Sequence, residues 1–150
     1  MNIPTPQSLI AHILVGWYAL FQLVHFVLNA VYLANPGEPP FNPPPEGWHS
    51  QTVHFLNGIA FADWINSALS LLFAWSFFRR KRWGAWLGTL TLTVSMYAAI
   101  VFLWGAQASG AQGLGIPYLW VNIPFVPVVV LFLAWCYWGA TNQLYNQADA

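Results

Sequence analysis

The reading of the fold turns on residues 57–105, NGIAFADWINSALSLLFAWSFF (57–78), RRKR (79–82) and WGAWLGTLTLTVSMYAAIVFLWG (83–105). Two long apolar runs flank one tight basic knot. A membrane-spanning helix needs about 20 mostly apolar residues at about 1.5 Å rise each. Both runs reach that length, and the four residues between them leave room only for a turn. The segment therefore predicts a helical hairpin that crosses a membrane twice.

Working outward, two further runs meet the same criterion, one from near Leu9 to Ala34 and one from Pro117 to near Trp138. The expected fold is all-α, a single integral membrane bundle of four transmembrane helices spanning about 9–34, 57–78, 83–105 and 117–138. Composition agrees. Only 5% of the chain is charged, against 58% hydrophobic and 18% aromatic. A soluble domain carries about 25% charged residues because its surface faces water. Four basic residues and zero net charge leave no footprint for nucleic acid. Residues 1–8 lack a basic leader, and the apolar run after them is full length, so the first helix is read as retained.

Arg79, Arg80, Lys81 and Arg82 are all the basic residues of the chain. The positive-inside rule assigns that turn, and with it both termini, to the cytoplasm. A bacterial inner membrane and an endoplasmic reticulum membrane fit equally. The loop from Asn35 to Phe55 holds six prolines (Pro36, Pro39, Pro40, Pro43, Pro44, Pro45), which predicts an extended path, with Trp48, His49 and His54 near the interface. The loop from Ala106 to Ile116 is glycine-rich. Pro124 and Pro127 predict a bend in the last helix, with carbonyls offered to neighbours.

Polar side chains inside spans are costly and turn toward the bundle interior, so their spacing carries information. Tyr18, Gln22, His25 and Asn29 share one face of the first helix by spacings of three and four. Asp63, Asn66, Ser67 and Ser70 form a stripe on the second, and Thr89, Thr93, Tyr97 and Trp104 align on the third. Tyr118, Asn122 and Phe125 do so on the fourth. Counted from the helix midpoints, His25, Asp63, Tyr97 and Asn122 lie about 3 to 9 Å to one side of the bilayer centre. One polar level shared by four helices is the expected pocket.

Asp63 is the only acidic residue deep in a span. A buried carboxylate without a partner is expensive enough to take up a proton or find one, and His25 is the expected partner. The alternative for Asp63, Asn29, Asn66 and Asn122 is hydrogen-bonded glue between helices. No metal site is expected: Cys136 is the single cysteine, and His49 with His54 do not have zinc spacing. Haem is set aside because His25 and His54 differ in depth by about 15 Å. No cofactor is expected.

At these residues the chain resembles the emopamil-binding protein superfamily, the EXPERA domain, over about residues 12–138. The likeness rests on LVHFVLNAVY with His25 and Asn29, ADWINSALSLL with Asp63, Asn66 and Ser67, SMYAAIVFLW with Tyr97, and YLWVNIPF with Asn122 and Phe125. Two positions depart from the pattern of the family's isomerases: Asn29 and Ala99 stand where carboxylates are usual. The resemblance implies a membrane protein whose pocket takes a sterol, a terpenoid or another lipid. It further implies either isomerisation of a double bond by protonation and deprotonation, or binding and transport regulation without turnover. Asp63 and His25 are the expected acid and relay. Gln22, Asn29, Asn66, Tyr97, Trp104, Asn122 and Phe125 are the expected ligand contacts. The missing carboxylate leans toward binding, and the retained pair leans toward proton chemistry. A structural subunit of a larger complex is the third reading, and a second copy of the chain is among the admitted partners.

Overall fold

In lipid every backbone N–H and C=O must be satisfied within the segment, and an apolar run of this length answers by forming a helix. The computed structural model describes residues 9–35, 50–108 and 117–140, all of it helical apart from the ends and one turn. The elements are α1 (Leu9–Ala34), α2 (Ser50–Phe78), α3 (Trp83–Ala108) and α4 (Pro117–Ala140). Each is long and apolar enough to cross a membrane, which makes the chain an integral multi-pass membrane protein. The expected spans of α1, α3 and α4 agree within a few residues. α2 starts earlier than expected, at Ser50, so residues 50–55 are helix and not loop. Apolarity marks only the lipid-covered part of a helix, and between Ser50 and Asn57 no proline or glycine interrupts its polar extension. The prolines at 36–45, with Trp48 and His49, lie outside the described residues.

The helices alternate in direction. As the α1 partner's number falls from Asn29 to Gln22, Tyr18 and His12, the α2 partner's rises from Asp63 to Ser67, Ser70 and Phe77. α1 packs chiefly on α2, α2 on α3, and α4 closes the ring against α1 and α3. The α2–α3 turn ends α2 with two tightening bonds, Arg80 N–H to the Phe77 carbonyl (3.0 Å) and Lys81 N–H to the Ser76 carbonyl (2.8 Å). That pattern is a Schellman cap, which needs a left-handed residue after the helix. Arg80 supplies it at φ 53°, where glycine is the usual occupant.

Three levels stack along the bundle. Nearest the basic turn lies an apolar core, in which Phe73, Leu87, Leu131 and Trp135 pack together. Gly88 allows this closeness: a Cβ there would sit 2.6 Å from the rings of both Phe73 and Trp135. The middle level is polar and fully buried. The third level, toward the end opposite the turn, holds Asp63.

Candidate functional site

The middle level brings three helices together. Tyr18 and Gln22 of α1, Asn66, Ser67 and Ser70 of α2, and Ser95 of α3 are all buried. Ser95 Oγ is the hub: the amides of Gln22 (3.0 Å) and Asn66 (2.9 Å) both donate to it, and Tyr18 Oη lies 2.8 Å away. A serine hydroxyl has two lone pairs and one proton. The two amides use both lone pairs, so the proton goes to Tyr18. Tyr18 must then donate its own proton to Ser70 Oγ (2.8 Å), and Ser70 donates to the Asn66 carbonyl (2.7 Å). Ser67 completes the set by donating to Gln22 Oε1 at 2.8 Å. Every hydroxyl proton in the chain has one destination.

A polar cluster closed in this way ties three helices together. Gln22 and Asn66, expected among the ligand contacts, are 1% and 3% exposed, with their amides bonded to Ser95 across helices. Ser95 was not among the expected residues. Its signal was the stripe Gly84, Gly88, Thr91 and Ser95, small residues at spacings of four and three that let neighbours approach. All four are buried.

Toward the far end the bonding is incomplete. Asp63, half-buried, accepts a hydrogen bond at Oδ2 from Asn29 Nδ2 at 2.8 Å. No other partner for Asp63 occurs among the described residues. The expected His25–Asp63 pair is therefore replaced by an Asn29–Asp63 pair across the α1–α2 seam. His25 turns to its own helix: Nδ1 lies 2.9 Å from the Phe21 carbonyl, and the imidazole lies over the Phe21 ring at 4.1 Å. A carbonyl only accepts, so Nδ1 carries the proton, and no partner for Nε2 occurs among the described residues. Phe21 in turn meets Phe125 at 5.6 Å, which puts His25 and Phe125 at the α1–α4 seam.

Among the described residues, three buried side-chain atoms find no partner: Tyr32 Oη, Asn57 Oδ1 and Trp64 Nε1. All three belong to α1 and α2 at or beyond the level of Asp63, and sequence spacing did not single them out. Trp64 stacks on Phe26 at 5.4 Å and forms an apolar wall on the same seam. Buried polar atoms are bonded in all but a few cases, so these three stand out.

Tyr97 and Trp104, expected to line the pocket, point away from the bundle at 69% and 74% exposure. They lie on the face of α3 opposite Ser95: positions two residues apart are turned by about 200°. Asn122, with Tyr118 and Trp120, lies outside the described side chains. Pro124 and Pro127 lie inside α4, and Trp17 Nε1 of α1 donates to the Pro124 oxygen at 2.8 Å. Among the described residues no three His, Cys, Asp or Glu side chains gather in a way that could hold a metal ion. No family model, curated protein or solved structure matches the chain.

Proposed function

We propose that this protein binds a hydrophobic small molecule of the sterol or terpenoid class within the membrane. Asp63 and Asn29 meet the ligand's polar group, and the Phe26–Trp64 stack packs against its apolar body. The observation that carries this reading is the state of Asp63, a half-buried carboxylate inside a span whose partner is a neutral amide. Such a group needs a second donor, because a carboxylate accepts through both oxygens and lipid offers nothing. Tyr32, Asn57 and Trp64 add unmet donors and acceptors nearby along the helices. The likeness to the EXPERA superfamily, carried by His25, Asp63 and their sequence neighbours, supports the same ligand class.

The test is a lipid extract of the purified protein analysed by mass spectrometry. A bound sterol or terpenoid is expected, much reduced in the Asp63→Asn variant. An extract holding only bulk membrane lipid, or the same ligand content in the variant, overturns the reading.

A second reading adds turnover, and Nε2 of His25, with no partner among the described residues, favours it. Asp63 would protonate one alkene carbon, and a base would remove a proton from a neighbouring position, so the double bond moves without oxidant or cofactor. Incubation of candidate alkenes in heavy water decides this, since protonation must place deuterium on carbon. No uptake above background across the panel leaves binding alone.

For orientation, the basic turn and both termini are proposed to face the cytoplasm. Reporter fusions at Gln143 and Gly110 should then report opposite sides. The same side for both refutes the four-span topology.

A further inference from the structure

The α2–α3 turn concentrates what the rest of the chain lacks. Arg79, Arg80, Lys81 and Arg82 are all of its lysines and arginines, consecutive and exposed. Among the described residues the one acidic side chain is Asp63, about 24 Å of helix away from Arg79. Orientation in a membrane needs only a bias between the two sides. With no other lysine or arginine in the chain, any one of the four supplies that bias.

Arg80 makes the excess plain. It holds φ 53°, a conformation that glycine adopts freely and other residues adopt at a cost. A glycine would close the same cap, and three cations would still flank it. Strain held where a less strained residue would serve is a mark of function.

On the membrane side of the turn stands an aromatic pair. Trp75 of α2 and Trp83 of α3 meet across the hairpin with ring centroids 6.1 Å apart, and both are exposed. Trp75 precedes Arg79 by one turn and shares its face. The two spans end here, at Phe78 and Trp83, so the cations stand at the membrane surface and the indoles at its apolar edge. Negative charge directly above apolar chains is the chemistry of an anionic phospholipid. A soluble anion brings no chains to the indoles.

We infer that the basic turn binds an anionic phospholipid, its phosphate gripped by residues 79–82 and its acyl chains laid along Trp75 and Trp83. Guanidinium groups match phosphate oxygens two at a time, which a single ammonium does not. Each basic residue beside a charged headgroup contributes about fivefold in affinity.

The test is native mass spectrometry of the purified protein in detergent, titrated with phosphatidylglycerol or with phosphatidylcholine of the same chains. Membrane insertion no longer operates there, so a preference belongs to binding. Phosphatidylglycerol should bind at least about fivefold more tightly. Arg80→Gly should lower that affinity about fivefold without loss of stability, so weaker binding is not a failure to fold. Arg79→Gln added to it should bring the loss to about 25-fold. Equal affinity for the two lipids, or an unchanged affinity in the double variant, overturns the proposal. So does displacement of the lipid by millimolar inorganic phosphate, which would mean an anion site only. Asp63→Asn should leave phosphatidylglycerol binding unchanged, so this inference and the ligand proposed at Asp63 fail independently.

Discussion

The middle and far levels of the bundle are built from the same residue types, yet they finish differently. In the middle, six polar side chains from three helices close on one another through Ser95, and each hydroxyl proton has one acceptor. At the far level, an acid and an amide make one bond, while a phenol, an amide oxygen and an indole are buried with no partner among the described residues. Polarity inside a span thus has two uses. A closed network specifies which helices pack and in what register. An open one leaves polar atoms without a partner among the described residues.

The largest effect is expected at the hub. Ser95→Ala removes a proton donor and two acceptor sites, leaving Tyr18, Gln22 and Asn66 short of partners. At about 0.6 to 1.7 kcal/mol per bond in membranes, the loss should reach about 2–4 kcal/mol, read as a lowered unfolding midpoint in detergent. A loss under about 0.5 kcal/mol would mean that the middle level is not the clamp described above.

Asp63→Asn should do the reverse. An amide replaces the carboxylate in nearly the same shape, so stability should move little. Ligand affinity should fall by about 10- to 100-fold, the scale of a hydrogen bond to a charged group. Equal ligand affinity in the two proteins would place the ligand elsewhere.

The same change made at both levels sharpens the contrast. Tyr18→Phe deletes a hydroxyl that bridges Ser95 and Ser70, and should cost about 1–2 kcal/mol. Tyr32→Phe deletes one with no partner among the described residues, so in ligand-free protein it should be neutral or slightly stabilising. Matched losses at the two tyrosines would erase the distinction between the levels.

The smallest effect is expected at the basic turn, away from both levels. Arg80→Gly relieves a left-handed residue and should raise stability by about 1 kcal/mol, measured as a thermal shift.

Four spans and a hairpin about the basic turn were legible because lipid imposes a length and a composition on each helix. The inward faces were legible on α1 and α2, where Tyr18, Gln22, Asn29, Asp63 and Asn66 all take part in contacts between helices. On α3 the choice of face was inverted. Thr93, Tyr97 and Trp104 were read as an inward stripe from their polarity and alignment, but packing between helices rewards the close approach that Gly84, Gly88 and Ser95 allow, and lipid tolerates bulk. The pairing at Asp63 was not legible either. Asn29 and His25 are one turn apart on the same face, and only the seam each one meets decides which reaches the acid. The unpaired atoms of Tyr32, Asn57 and Trp64 carry no periodic signal and emerge only once neighbours have covered them.

Every member of the closed network comes from α1, α2 or α3, while α4 joins through Val128, Leu131 and Trp135 and through indole bonds such as that of Trp135 to Thr89. During synthesis the helices leave the ribosome in order. Once α3 has entered the bilayer, all six polar side chains of the clamp are present and can close while α4 is still being translated. The nascent three-helix unit then offers α4 a finished, largely apolar template, so the last helix finds its place by shape and by its indole hydrogen bonds.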